Sequence, residues 1–520
     1  MNILFATSEA APFAKTGGLA DVCSALPDSL SQLGHNVSII LPAYSQIYSA
    51  GLAIESTGKE LVIPVGTKTV RGELLYSHLP DSRVTVYFVR HDDYYHRDGL
   101  YNSGGVDYPD NCERFVFFCR SVLESIRLLN LPVDLIHAND WQTGLVPAYL
   151  NILYKSKSPH KIESTLFADA SEENIMSPQQ LEHAHQYYDA IHTVFTIHNM
   201  RHQGRFWRWD MALTGIDWRY FTFDRMEFYN QLNLLKTGII FSDAVTTVSP
   251  RYAQEIQTEG FGEKLQGVLR YRSDVLSGIL NGIDVTHWNP ETDVFLDEPY
   301  ARYNTQTVFE NKPKCKRALQ KEFGLPELPE VPLFGIVSRF DSQKGLDLVA
   351  EIMPHFVEQY GAQLVVLGTG DHALEQRFSD LNKLFPQNIS THLTFSDAAS
   401  HHVEAGCDLF FMPSRYEPCG LNQMYSHRYG TLPLVRETGG LADTVINASD
   451  ETMANGTANG FSFFWGNPDD LAKATQWALY CYHHRKPEWR KMVTTAMEQD
   501  WSWNRSALRY YELYKKCLES

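Results

Sequence analysis

The sequence predicts an α/β protein built from two Rossmann-like, doubly wound domains. Three observations carry this. Short apolar runs alternate with stretches of helical period along most of the chain. The alternation breaks once, near Asn289, and then restarts. A Gly-Gly turn stands before a helical stretch in each half, "KTGGLADV" at 15–22 and "TGGLADT" at 438–444. At 520 residues the chain is also too long for one core.

The elements follow in order. "NILFA" (2–6) is a short apolar run, "LADVCSALPDSLSQLG" has helical spacing and stops at Gly34, and "HNVSIILP" is a second strand. Strand, glycine-bearing loop, helix, strand is a βαβ unit, so its sheet should be parallel. Further strands are expected at 84–89, 133–138, 192–199, 244–250 and 277–282, with "NCERFVFFCRSVLESIRLL" as one of the intervening helices. The polar stretch "WNPETDVFLDEPYARYN" interrupts the pattern. It resumes with "PLFGIVSR" (332–339), "AQLVVLGTG" (362–370), "CDLFFMPSR" (407–415) and "TLPLVRETGG" (431–440). The expected domains are 1–285, 286–500, and a final amphipathic helix at 501–520 packing back on the first. Residues 155–191, polar and without period, are expected to form a surface excursion with some short helix. The aromatic run 205–230 could stack on sugar rings, but most of it is expected in the core.

Composition narrows the function. A net charge of −17 argues against nucleic acid or an anionic membrane as the main partner. The eight cysteines are scattered, with no CxxC pair, and read as reduced thiols. The N-terminus lacks a basic segment before its apolar run, and no stretch is long enough to cross a bilayer. A cytoplasmic location is expected, or a plastid if a transit peptide has been removed.

Several residues stand where chemistry could occur. Gly-Gly turns before helices let backbone N–H groups approach an anion, although such a turn serves ordinary packing at least as well. The first lacks the full GxGxxG pattern of a dinucleotide site. "VSRFDSQKGLDLV" places Arg339 and Lys344 after a buried strand, where they could grip a diphosphate or merely be solvated. Glu417 lies in the tight turn "PSRYEPCGLNQ", close to a helix N-terminus, as a ligand group or as a cap. Asp140, His198 and Asn199 end N-terminal strands and suit sugar hydroxyls, though a lone His there is often structural.

Taken together, "KTGGLADV", "HANDWQTG", "FTIHN", "LNGID", "VSRFDSQKGLDL", "PSRYEPCGLNQ" and "GTLPLVRETGGLADTV", in this order, resemble the bacterial glycogen synthase and plant starch synthase family over almost the whole chain. The resemblance implies the GT-B architecture, two Rossmann-like domains facing across a cleft. It implies transfer of glucose from ADP-glucose to the non-reducing end of an α-1,4-glucan or malto-oligosaccharide, with retention, and with no metal or other cofactor. By motif it assigns Lys15, Gly17, Gly18 and Asp21 to the donor site, and Arg339 and Lys344 to a diphosphate clamp. Glu417 falls beside the transferred glucose, with Cys419, Gly420 and Leu421 in the same turn. Asp140, His198, Asn199 and Tyr95 fall near that sugar, and Asn281 in the cleft. Thr438, Gly439 and Gly440 are expected to offer amides to the donor phosphates.

Two features depart from the family pattern: Arg201-His202 stands where bacterial synthases commonly read Ala-Tyr, and the 155–191 stretch is longer than the usual connection. Related retaining transferases of this architecture often carry a second glutamate; "GLNQMYS" holds none, as in the starch synthase group. The alternatives are a UDP-glucose-using transferase of the same architecture and a non-catalytic glucan-binding scaffold.

Overall fold

The computed structural model describes residues 1–155 and 187–519. The expectation for 155–191 therefore falls almost wholly outside the described residues. The chain divides into two units. The first holds Met1–Val248, Ala253–Ile279 and Trp503–Ser520; the second holds Ser249–Tyr252 and Leu280–Ser502.

In the first unit the apolar runs become the strands of one sheet. These are β1 (Asn2–Ala6), β2 (Asn36–Pro42), β3 (Glu55–Val65), β4 (Lys68–His78), β5 (Thr85–Arg90), β6 (Leu135–Asn139), β7 (His192–Ile197), β8 (Ala244–Thr247) and β9 (Leu276–Gly278). Their order is β9-β8-β7-β6-β1-β2-β5-β4-β3. All neighbours from β9 to β5 pair in parallel, and the β3–β4 hairpin, which the sequence reading missed, adds an antiparallel edge. The near-continuous apolar β1 and β6 are covered on both faces, as parallel strands are. The order in which successive strands are added reverses between β1 and β6, so the carboxyl ends of these two parallel strands flank the switch point where open α/β sheets bind ligands.

Helix α1 (Gly18–Gln32) follows β1. The C-terminal helix Trp503–Glu519 packs on it, with His35 and Tyr511 rings stacked at 5.2 Å. Buried His137 on β6 clasps that helix: Nδ1 meets the Tyr514 hydroxyl at 2.7 Å, and Nε2 meets Thr196 Oγ1 at 2.6 Å. Burial lowers the His137 pKa to about 3, so the ring is neutral and the clasp carries no charge.

The second unit is built on β10 (Leu333–Val337), β11 (Gln363–Leu367), β12 (Ile389–His392), β13 (Leu409–Met412), β14 (Leu432–Arg436) and β15 (Phe461–Phe463). They are ordered β12-β11-β10-β13-β14-β15, all parallel. Counted within the unit this is 3-2-1-4-5-6, the Rossmann order, with its switch point between β10 and β13. One buried apolar cluster runs from Leu296 to Met497 and forms its core.

The aromatic run is less buried than expected. Trp207, Trp209, Phe223 and Tyr229 are exposed on or beside a small antiparallel sheet, Arg205–Trp207, Glu227–Phe228 and Gln231–Asn233. A three-stranded patch this short has one face to bury, so half its side chains must face outward.

Candidate functional site

At the first switch point, the loop after β1 is organised by a carboxylate that the sequence reading did not single out. Glu9, 3% exposed, accepts from Thr16 N and Thr16 Oγ1, both at 2.6 Å, from Gly17 N at 3.3 Å, and from the Tyr101 hydroxyl at 2.7 Å. These bonds fix the turn that leads into α1, with Gly17 in extended backbone at the N-cap. A Cβ placed on Gly17 or Gly18 would meet nothing within 4 Å. The glycines are therefore not demanded by internal packing; they leave the α1 N-terminus open. Lys15 stands exposed beside them, its Nζ held at 2.7 Å by Asp21.

Across the same switch point, Asp140 ends β6 with φ 57° and ψ −179°, a backbone state costly for any residue with a Cβ. Its Oδ1 accepts from the His198 backbone N–H at 2.7 Å, which ties the end of β6 to the end of β7. Burial pushes the Asp140 carboxyl up to about 7, with the His198 and Asn199 amides pulling the other way. The His198 ring reaches Asn139 Oδ1 through Nε2 at 3.0 Å, and burial holds it well below the usual imidazole range. Asn199 accepts the Arg201 N–H at 3.0 Å.

Tyr95 departs from expectation. It is fully buried, and its hydroxyl donates to the Arg114 carbonyl at 2.7 Å. It stacks edge-on to Tyr44 as part of the core and has no polar atom to offer a sugar.

In the second unit the residues after β10 and β13 converge. Lys344 Nζ donates to Glu417 Oε2 at 2.7 Å, and Ser414 Oγ donates to the same oxygen at 2.9 Å. The side chains are 22% and 8% exposed. Gly345, at φ 64°, lets the chain turn sharply after Lys344; a Cβ there would lie 2.2 Å from the Pro413 carbonyl oxygen. The turn carrying Glu417 is braced from behind by Arg415, which grips Asp347 with both Nη atoms at 2.8 and 2.6 Å. Arg339 is exposed at the carboxyl end of β10, with no ion-pair partner among the described residues. Cys419 is buried and its thiol is pushed up to about 12 by burial, which makes it an inert packing group facing the Asn281 backbone N–H. Asn281 is 7% exposed, and its Oδ1 has no partner among the described residues. Gly420 (φ 72°) and Leu421 carry the chain into the helix Asn422–Arg428.

The second Gly-Gly differs physically from the first. Gly439 has φ 45°, and a Cβ there would sit 1.8 Å from the Glu417 carbonyl oxygen; one on Gly440 would sit 2.1 Å from that of Cys419. Gly440 N–H is spent on the Glu417 and Pro418 carbonyls at 3.2 Å each, and Thr438 N–H on Arg436 at 2.9 Å. These residues thus seat the Glu417 turn, and the amides of Thr438 and Gly440 are already taken, against the expectation that they stand ready for phosphate.

Two Rossmann-like sheets, each with cations, a carboxylate and glycine turns gathered at its switch point, define a two-domain glycosyltransferase of the GT-B class. Comparison with known proteins narrows this. The family model of the starch synthase catalytic domain matches residues 2–168 and 175–271, and that of glycosyl transferases group 1 matches 319–493. Glycogen synthase from Rhodopirellula baltica is 41% identical over 528 residues, covering 100% of this chain and 98% of that one. Glycogen synthase from Syntrophotalea carbinolica is 42% identical over 520 residues, covering 100% and 99%. Among solved structures, the catalytic domain of Starch Synthase IV from Arabidopsis thaliana, bound to ADP and acarbose, matches with a TM-score of 0.83 at 30% identity, covering 100% and 99%. The chain belongs to the glycogen synthase and starch synthase family, and is a retaining glucosyltransferase. Among the described residues no helix is long and apolar enough to cross a membrane.

Proposed function

We propose that the chain transfers glucose from ADP-glucose to the non-reducing end of an α-1,4-glucan, and that it does so without a metal ion. The observation that carries this reading is the Lys344–Glu417 pair at the second switch point, with Arg339, which has no ion-pair partner among the described residues, in the same connection after β10 as Lys344. The chemical task is to separate a positive, oxocarbenium-like glucose from a negative diphosphate. Arg339 and Lys344 meet the growing negative charge, and one preorganised group of this kind lowers the barrier by about 3–4 kcal/mol. Glu417 sits against the sugar and opposes its positive charge. The C1–O bond to phosphate breaks, the acceptor O4 bonds C1 on the same face, and the acceptor's proton passes to a departing phosphate oxygen. The two-carboxylate route of retaining glycosidases gains no support, since "GLNQMYS" offers no second glutamate.

In the first unit, the Lys15–Gly18 loop with Asp21 serves the donor. Asp140, His198 and Asn199 serve the hydroxyls of the sugar. Neutral His198 can accept or donate a hydrogen bond without adding positive charge beside a cationic transition state. The relatives named glycogen synthase and the ADP-bound starch synthase support this choice of donor and acceptor.

The test is incubation with labelled ADP-glucose and a malto-oligosaccharide, in parallel with UDP-glucose, followed by chain-length analysis. Products one or more glucose units longer from ADP-glucose, undiminished by a chelator, are expected. Preference for UDP-glucose, or dependence of transfer on added magnesium, overturns the reading. Absence of transfer from either donor favours the glucan-binding scaffold.

A further inference from the structure

The connecting segment at the start of the second unit meets the helix Asp397–Gly406 in a group of side chains that the transfer reaction does not use. His401, fully buried on that helix, has its Nδ1 2.8 Å from Asp293 Oδ2. Tyr429 donates to the same carboxylate oxygen at 2.6 Å. A carboxylate on Nδ1 fixes the proton there and leaves a lone pair on Nε2. That Nε2 lies 3.2 Å from Nε2 of His287, while Asp397 carboxylate oxygens lie 3.7 Å from His287 Nε2 and 4.0 Å from His401 Nε2. The His401 ring is held flat against Trp288, with centroids 3.9 Å apart.

We infer that His287, Asp397 and His401 bind a divalent transition-metal cation of the zinc class. Three arguments converge. Zinc bonds of about 2.0–2.2 Å at tetrahedral angles place ligand atoms about 3.3–3.6 Å apart, close to the imidazole–imidazole separation. The Asp397 oxygens need move only a few tenths of an ångström, and that side chain is half exposed, as is His287. Asp397 and His401 are four residues apart on one helix, so they project from the same face. The carboxylate–histidine pair behind Nε2 is the outer arrangement that raises ligand basicity in metal sites. Three protein groups leave the fourth position to water. Bound there, the ion clips residues 284–297, the first stretch of the second unit, to a helix of its core. This is separate from the metal-free transfer chemistry, and its test does not read activity.

The test uses untagged, chelator-washed protein titrated with zinc chloride by calorimetry, with thermal unfolding in parallel. One equivalent per chain and a rise of about 3 °C or more in the unfolding midpoint are expected, because a ligand bound only to the folded state stabilises it. His287→Gln, at an exposed position, should abolish both effects without lowering the metal-free midpoint, and Asp397→Asn should weaken binding about tenfold or more. No stoichiometric zinc in the parent protein overturns the inference. So does equal binding in His287→Gln, which would leave the two imidazoles as a plain hydrogen-bonded pair.

Discussion

Replacing Lys344 by alanine separates two roles that one side chain holds. The ammonium lies 2.7 Å from Glu417 Oε2, and the carboxylate's side chain is 8% exposed. Its loss leaves Glu417 with Ser414 as its remaining side-chain partner among the described residues. Stranding a buried charge costs about 3–5 kcal/mol, but Lys344 is itself 22% exposed and water can enter its space. A destabilisation of about 1–3 kcal/mol is therefore expected. Transition-state stabilisation should fall by a further 3–4 kcal/mol or so, a drop in kcat of about 10²-fold or more. Adding Glu417→Gln tells the two apart, since a neutral amide no longer needs the ammonium. The double variant should regain most of the unfolding midpoint and none of the turnover. Steady-state transfer kinetics with ADP-glucose, together with thermal unfolding, give both readings. Full kcat in Lys344→Ala with only KM raised would refute the argument, because the charge would then act on ground-state binding alone.

Arg339→Ala removes a charge that nothing in the described protein uses, so its stability should stay within about 0.5 kcal/mol while kcat falls about 10²-fold. A kcat within threefold of the parent would contradict that assignment. Asp140, held up to about 7, should give kcat/KM a limb that rises with pH through about 7, as the carboxylate that accepts from the sugar hydroxyls ionises. Asp140→Asn should be slow at every pH and lack that limb; a limb that persists assigns it to another group. Stability runs the other way. Between an unfolded value of about 4 and the folded value of about 7, only the unfolded chain has released this proton, so the burial of Asp140 costs more stability as pH rises. Gly18→Ala should fold normally yet raise KM for the donor, whereas Gly439→Ala should lower the unfolding midpoint, since its Cβ has no room beside the Glu417 carbonyl. Equal behaviour of these two glycine variants in both assays would contradict the contrast drawn between the turns.

The central strands of both sheets were legible because parallel strands buried on two faces read as apolar runs, and helical period separates them; the β3–β4 hairpin and the short edge strands β12 and β15 were not. Strand ends were less so. The expected strand 407–415 shrinks to Leu409–Met412 because "PSR" at its end is a loop seated against the Lys344 turn. The residues that converge at the second switch point, Lys344 and Glu417, were found from their position after buried strands. Tyr95 was misplaced because the motif alone placed it, and the helix Asp92–Tyr95, four residues long, has no period to show that both of its tyrosines are buried. Glu9 went unnoticed among alanines; its only signal was a carboxylate just past the first strand, ahead of a glycine turn whose amides needed an acceptor. Nor could the two Gly-Gly repeats be told apart, since identical letters do not record that one faces open space and the other a carbonyl.

The clasp between His137 and Tyr514 bears on how the protein is made. A ribosome releases the nine strands of the first sheet long before it reaches residue 503, and at about 5–20 residues per second the interval is roughly ten to fifty seconds. Throughout that time the nascent first unit lacks the helix that covers α1, while the second unit emerges complete and can fold ahead of it. Synthesis order and order of completion are thus reversed, and the half-finished first unit is the species a chaperone would meet.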